Sequence, residues 1–419
     1  MDMKWYLCID LKTFYASVEC AERGLDPFKT DLIVADPSRG KGSICLAITP
    51  KMKSRGIKNR CRVFEIPKNV HPIVAKPRMR IYMQYSSKIY NIYLKYIDKE
   101  DIHVYSIDEA FLDVTGYLKM YQKNPKEIAK MIMKDIYDTL HITATCGIGT
   151  NMYLAKIALD IISKHNKSNI GILNEQLYKE KLWHHTPLID FWGIGRGIQD
   201  RLHKLHLKDM YDIAHTEEKI LYKEFGINAK LLIDHSNGIE PCTIEDIKKY
   251  KPKNNSMSNT QILFSDYTKQ SAKIVLLEMI HTIVLRLIGK NQYTDNIGFY
   301  VGYSKDIIPS ISISKKIDHQ TNSFNLISTI LLDEYDYRIN DEYMIRKIGV
   351  FLNNIQSKKV EQLDIFNTIE KENEEYNLEN TILNLQNKYG KNSILNAVSY
   401  TDAGTQMMRN KLIGGHNAE

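Results

Sequence analysis

The segment Val104–Thr115, "VYSIDEAFLDVT", sets two adjacent carboxylates, Asp108 and Glu109, between apolar, β-forming arms. Val, Ile, Tyr, Phe and Thr favour strands, whereas Asp is depleted there. An isolated Asp-Glu pair is most often a solvated turn tip. The alternative is a sheet edge that gathers negative charge for chemistry. A similar choice arises at "KWYLCIDL" (Lys4–Leu11), a short apolar run with Asp10 near its end, as expected of a buried strand. If that strand lies beside a hairpin built from "VYSIDEAFLDV", three carboxylates converge on one sheet edge. Unpaired buried carboxylates are costly, and bound cations remove the cost. An all-oxygen set without His or Cys suits Mg²⁺, with Mn²⁺ as a substitute, rather than zinc. Two such ions about 3.5–4 Å apart are the standard device for in-line displacement at phosphorus.

The rest of the chain is consistent with an enzyme of several domains. Its 419 residues are 43% hydrophobic and 26% charged, a globular composition with enough chain for separate cores. No uninterrupted apolar run approaches the roughly 18 residues needed to span a membrane. The opening stretch "MDMKWYLCIDLKTFY" carries charges and no small-residue cleavage site, so it does not read as a signal peptide. Cys8, Cys20, Cys45, Cys61, Cys146 and Cys242 are scattered without a Cys-x-x-Cys pair, as expected of reduced cytosolic thiols. Net charge is +7, but the stretch from Glu361 onward holds 5 basic and 9 acidic residues, so the body before it carries 52 basic against 41 acidic. That excess favours a polyanionic partner.

Strand and helix signals alternate to about residue 170, giving α+β character with an antiparallel sheet under helices. "PKEIAKMIMKDIYDTL" (Pro125–Leu140) is an amphipathic helix opened by proline, and "NMYLAKIALDIISK" is a helix capped by Asn151. "GIGTN" (Gly147–Asn151) lacks the third glycine of a dinucleotide-binding turn and reads as a tight strand–helix turn. Short helices punctuated by glycine run from about Ile170 to Cys242. "IKKYKPKNNS" (Ile247–Ser256) reads as a basic linker. A second α+β unit follows to about residue 356. The remainder is acidic and Asn-rich with one helical run, and its end, "RNKLIGGHNAE", reads as poorly ordered.

Four motifs, "CIDLKTFYASVE", "YSIDEAFLDVT", "GIGTNMYLAKIALDI" and "FWGIGRGIQDRLHKL", resemble the Y-family, lesion-bypass DNA polymerases in order and spacing, over roughly residues 4–356. In "PKMKSRGIKNRCRVFEIP" and "RNKLIGGHNAE" the chain is similar to the SOS mutagenesis polymerases of Gram-positive bacteria, their plasmids and phages. The resemblance implies an α+β multidomain, right-hand polymerase. The palm would be 1–13 and 80–169, small fingers 14–79, a helical thumb with a helix–hairpin–helix 170–242, the basic linker 243–256, an α+β little finger 257–356 and a tail 357–419. It implies that Asp10, Asp108 and Glu109 hold two Mg²⁺ ions, with the Leu11 carbonyl as a further ligand. Tyr15 would stack beneath the incoming sugar and exclude a 2′-hydroxyl, and Phe14 would sit under the nascent base pair.

At the triphosphate the chain departs from the family's Tyr-x-x-Arg pair: Pro50 stands at the Tyr position and Lys53 at the Arg position. Lysine supplies charge without the bidentate fork. Arg55 could substitute, and Lys164 is the other phosphate candidate. Gly193, Gly195 and Gly197 of the hairpin would admit backbone N–H groups close to a duplex phosphate, with Arg196 and Lys204 adding charge. Lys248, Lys249, Lys251 and Lys253 would lie along DNA. "EQLDIF" (Glu361–Phe366) is similar to the bacterial sliding-clamp peptide, with Gln362, Leu363 and Phe366 as its contacts. The implied partners are primer–template DNA, dNTP and the clamp. The implied protein is a monomeric, cytoplasmic, nucleoid-associated bacterial enzyme without a proofreading segment. Two rivals are weighed against it. A nucleotide cyclase would share the carboxylates but need no glycine-rich hairpin, basic linker or second α+β domain. A catalytically impaired DNA-binding accessory protein fits the Pro50 departure but not the intact carboxylate set.

Overall fold

The computed structural model describes residues 3–357 and 368–419. It divides into two compact units, one running to Tyr250 and one from Lys251 to Ala418.

The first unit carries strands β1 (Tyr6–Leu11), β2 (Leu32–Val34), β3 (Ala47–Ile48), β4 (Ile73–Ala75), β5 (Ile102–Val104), β6 (Glu109–Asp113), β7 (Ala144–Gly149) and β8 (Ile170–Leu173). Five of them form one sheet in the order β5-β6-β1-β7-β8. Strand β1 sits at its centre, antiparallel to β6 and β7, while β8 adds parallel to β7 at the edge. Residues Tyr6 to Ile9 are at most 2% exposed, so both faces of β1 are covered. This explains why "YLCI" shows no polar alternation. Tyr6 and Cys8 pack with Phe111, Met152, Ala155 and Leu159.

Helix Pro125–Leu140 forms as its pattern predicts. Asn124 and Glu127 make a reciprocal capping box, Pro125 occupies the first turn, and Ile128, Ile132, Ile136 and Leu140 form its buried stripe. Asn151 caps helix Met152–Ile157 by accepting from the Leu154 N–H at 2.8 Å. That helix then widens into a π-type turn over Ala158–Ile162, the usual way a helix absorbs one extra residue. The glycines before it serve packing. A Cβ at Gly147 would lie 2.0 Å from the Ala155 carbonyl oxygen, and one at Gly149 2.2 Å from the Ala155 nitrogen. "GIG" therefore lets strand and helix touch.

Strands β2–β4 form a small second sheet in the order β3-β2-β4, with Ile33, Cys45, Ile48 and Met52 in its core. Short helices from Glu175 to Ser236 close over Tyr178, Phe191, Leu202 and Leu221. The expected linker begins as structure: Ile244–Lys249 is a helix opened by a Thr243–Asp246 capping box.

In the second unit, β9 (Met257–Tyr267), β10 (Thr294–Tyr303), β11 (Ile311–Thr321) and β12 (Ile345–Asn353) form an antiparallel sheet in the order β11-β10-β12-β9. Helices Lys269–Ile288 and Phe324–Arg338 share one core with it. The expectation of a poorly ordered end is corrected. Helix Thr368–Tyr389 packs on helix Lys269–Ile288. Buried Glu278 accepts from Thr405 N, Thr405 Oγ1 and Gln406 N at 2.9, 3.0 and 3.1 Å, pinning the terminal segment. Strands β13 (Leu412–Ile413) and β14 (His416–Asn417) pair across Gly414 and Gly415, whose φ values of 58° and 81° suit a tight hairpin.

Candidate active site

The sheet register brings the carboxylates together. Asp10 on β1 lies directly opposite Glu109 on β6, and the Leu11 N–H donates to the Asp108 carbonyl at 3.0 Å. The turn before β6 is tied by Tyr105 N–H and Ser106 N–H, which donate to the Glu109 carbonyl at 2.9 and 3.0 Å. Ser106 Oγ donates to Asp108 Oδ1 at 2.7 Å. The three side chains differ in how their charge is met. Asp10 is pushed up to about 7, first by burial and then by Asp108, with Lys164 opposing. Glu109 is paired with Lys156, whose Nζ lies 2.8 Å from Oε1 and 2.9 Å from Oε2. Cys8 Sγ also donates to Glu109 Oε1 at 3.1 Å.

Among the described residues no group of three or more His, Cys, Asp or Glu is already gathered as a metal cage. The donor chemistry nevertheless fits hard divalent cations: oxygen ligands alone, with Asp10 carrying repulsion that a cation would relieve.

Phe14 and Tyr15 open helix Phe14–Ala21 straight after β1. The chain turns through Thr13 in the left-handed region (φ 49°), an uncommon conformation for a β-branched residue. Phe14 is buried, and the half-buried Tyr15 ring stacks on Tyr82 at 4.6 Å. Tyr82 is fixed in turn by donating to Glu19 Oε1 at 2.7 Å. Burial and then Asp108 raise the Tyr15 hydroxyl above its ordinary range, which places the ring toward the carboxylate edge.

The candidate phosphate cations separate clearly. Lys53 lies in the last turn of the Pro50-started helix Pro50–Ser54. Its side chain reaches solvent and has no hydrogen bond or ion pair among the described residues. Partial burial lowers its pKa, Asp10 opposes this, and Lys164 and Lys12 lower it further, so these charges share one region. Lys164 is held by Asp160 at 2.8 Å. Arg55 is instead committed to Asp31 at 3.0 Å. Lys12 was missed by sequence reasoning because it lies within the Asp10 motif and looked like spacing. Its Nζ donates to Asn169 Oδ1 at 3.0 Å, and burial lowers its pKa while Asp10 opposes.

Gly193, Gly195, Arg196, Gly197 and Lys204 are exposed, within the run of short helices from Glu175 to Ser236. Gly193 adopts φ 92°, and a Cβ at any of the three glycines would meet nothing within 4 Å. The Arg196 and Lys204 side chains have no hydrogen bond or ion pair among the described residues. Lys248 pairs with the Lys99 carbonyl and with Glu100, and Lys249 with Glu245. Lys251 and Lys253 are exposed. Gln362, Leu363 and Phe366 lie outside the described residues.

A carboxylate-bearing central sheet, a small adjoining sheet, a cluster of short helices with a glycine-rich hairpin, and a separate α+β unit define a right-hand polymerase fold. Comparison with known proteins narrows the class. Residues 9–160 match the impB/mucB/samB family and residues 254–365 match that family's C-terminal domain. The putative UV-damage repair protein UvrX of Bacillus subtilis (strain 168) is 33% identical over 98% of this chain and 97% of its own length. DNA polymerase IV 2 of the same organism is 28% identical over 99% of each chain. Among solved structures, a Y-family DNA polymerase chimera superposes with TM-score 0.65 at 22% identity, covering 84% of this chain and all of its own. The insertion ternary complex of Dbh DNA polymerase gives TM-score 0.52 at 24% identity with the same 84% coverage and all of its own length. The chain belongs to the impB/mucB/samB family and shares the fold of a Y-family DNA polymerase. No described helix is long and apolar enough to cross a membrane.

Proposed function

We propose that this chain performs template-directed, translesion DNA synthesis, adding a dNTP to a primer 3′-hydroxyl, and that the Asp10/Asp108/Glu109 edge is its reaction centre. The observation that carries this reading is the under-compensated charge at that edge: Asp10 faces Glu109 across β1 and β6 and stands at about 7 because of burial and Asp108. Asp10, Asp108, Glu109 and the Leu11 carbonyl would hold two divalent cations, Mg²⁺ or Mn²⁺. Such ions, when bound, activate an attacking hydroxyl and neutralise a departing pyrophosphate.

The chain's own residues would do the positioning. Tyr15, braced face-on by Tyr82, presents a ring that a deoxyribose clears and a 2′-hydroxyl meets. Phe14, its tilted neighbour at 5.8 Å, would sit under the nascent base pair. Lys12, Lys53 and Lys164 supply the triphosphate's counter-charge, which replaces the family's Tyr-x-x-Arg pair and leaves Arg55 to Asp31. Gly193, Gly195 and Gly197 bring backbone N–H groups to the duplex phosphates, with Arg196, Lys204, Lys251 and Lys253 adding charge. Lys248 and Lys249 would contribute only by leaving their present partners. These contacts carry no base information, as a polymerase acting at any sequence requires.

We also assign Gln362, Leu363 and Phe366 to a sliding clamp, on the sequence alone, and take the working enzyme to be a monomer. Unchanged clamp affinity after all three become Ala would remove that assignment. The activity itself is tested by primer extension with single dNTPs and Mg²⁺, on undamaged and lesion-bearing templates. Distributive, template-matched addition that stops in EDTA is expected. Tight primer–template binding without any addition would contradict the reading.

A further inference from the structure

Lys156 lies against the carboxylate edge but belongs to none of the roles above. It projects from helix Met152–Ile157, with its side chain 10% exposed. Its Nζ touches both oxygens of Glu109, at 2.8 and 2.9 Å, and lies 3.0 Å from Asp160 Oδ2. It also lies 5.8 Å from the centre of the Tyr105 ring. Tyr105 OH accepts from Trp192 Nε1 at 3.1 Å, so that wall of the pocket is itself fastened. Asp160 continues the chain of charge to Lys164 at 2.8 Å. A buried lysine is retained at such a cost only with charged partners. Here one partner is a candidate metal ligand whose oxygens are both already engaged.

We propose that Lys156 is the resident counter-charge of the carboxylate edge: it positions Glu109 and limits how strongly the Glu109 side of the site attracts a cation. Among the described residues Asp10 and Asp108 have no ion pair of their own, and they would take a cation first. Glu109 must share its oxygens between Lys156 and the second cation, so that side binds more weakly. Lys156 is a positioning residue, acting through Glu109. The inference rests on the three carboxylates being the metal site.

The test is Mn²⁺ binding to the full chain, measured by the electron paramagnetic resonance signal of the free ion, without substrate. Lys156→Met removes the counter-charge and should tighten the weaker class of Mn²⁺ sites by about ten-fold, the effect of one unit charge near a divalent ion in a partly solvated site. Lys156→Arg keeps the charge and should stay close to the wild type. Asp160→Asn, which leaves the lysine to Glu109 alone, should shift binding the opposite way, and it provides the sign if Lys156→Met fails to fold. A lysine that merely supports the fold would give weaker binding, or none, on removal. Unchanged or weakened Mn²⁺ binding in folded Lys156→Met, or tightened binding in Asp160→Asn, overturns the proposal. If the wild type's Mn²⁺ binding is unaffected by Asp108→Asn, the metal-site reading fails first and takes this inference with it.

Discussion

Glu19 and Asp10 stand nine positions apart, and both are acids drawn out of water, yet they are treated in opposite ways. Burial alone would push Glu19 up. Arg78 donates to it at 3.0 and 2.8 Å, Tyr82 at 2.7 Å, and Arg23 completes the set, so its carboxyl is held below the ordinary range. Asp10 has burial and Asp108 acting together against it, with only the more distant lysines in opposition. Glu19 is a finished structural fastening between helices Phe14–Ala21 and Met79–Leu94. Asp10 belongs to a site that a ligand must finish. A buried charge that the fold satisfies is structural, and one that the fold leaves unsatisfied is a place to look for chemistry.

The largest effect expected from this contrast is catalytic. Asp10→Asn should cut the rate of single-nucleotide addition by about a thousand-fold, the scale of losing one preorganised charge-stabilising group. Its unfolding midpoint in EDTA should not fall. Glu19→Gln should do the reverse in kind, lowering stability by roughly 3–5 kcal/mol, as when one partner of a buried ion pair is removed, measured by urea unfolding. The sign of its pH dependence follows from the depressed folded-state value. The Glu19 contribution is present above the ordinary carboxylate pKa and is lost as pH falls through the lower folded one, so wild type and Glu19→Gln should converge only once pH falls beneath the ordinary carboxylate range.

A smaller effect lies where the two regions meet, because Tyr82 links Glu19 to Tyr15. Tyr15→Ala should erode discrimination against ribonucleotides by about a hundred-fold, the range set by one added group in a shaped pocket, read as the ratio of kcat/KM for rNTP and dNTP. Smallest is the phosphate end. Lys12→Gln and Lys53→Gln should each raise KM for dNTP by about ten-fold, the loss of one charge-assisted hydrogen bond in a partly solvated site, with little change in kcat. Arg55→Gln should leave KM where it is, since its guanidinium is spent on Asp31. An equal rise for Arg55→Gln would move the triphosphate off Lys12.

The three carboxylates were legible as candidates because each sits in a local β-forming motif, whereas the pairing that sets Asp10 opposite Glu109 was only a condition until the fold supplied it. The partners that decide their charge were not legible. Lys156 meets Glu109 across 47 positions, and Arg78 meets Glu19 across 59. Period and composition carry no information on such pairings. Lys248 and Lys249 read as linker because their run is basic and apolar-poor, whereas the Thr243–Asp246 capping box starts a helix there. The terminal segment read as disordered for a related reason. Its anchor, Glu278, is one acid within an otherwise apolar helical run, and its acceptance of three hydrogen bonds from Thr405 and Gln406 emerges only in the fold.

The most direct test of the unfinished-site account is thermal unfolding of the wild type and Asp108→Asn, each in EDTA and in excess Mn²⁺. The account predicts that the variant is at least as stable as the wild type in EDTA, because one of the repelling charges is gone. Mn²⁺ should then raise the wild-type midpoint and leave the variant nearly unmoved, since a ligand stabilises only the state that binds it. A wild type indifferent to Mn²⁺, or a variant strongly destabilised in EDTA, would contradict it.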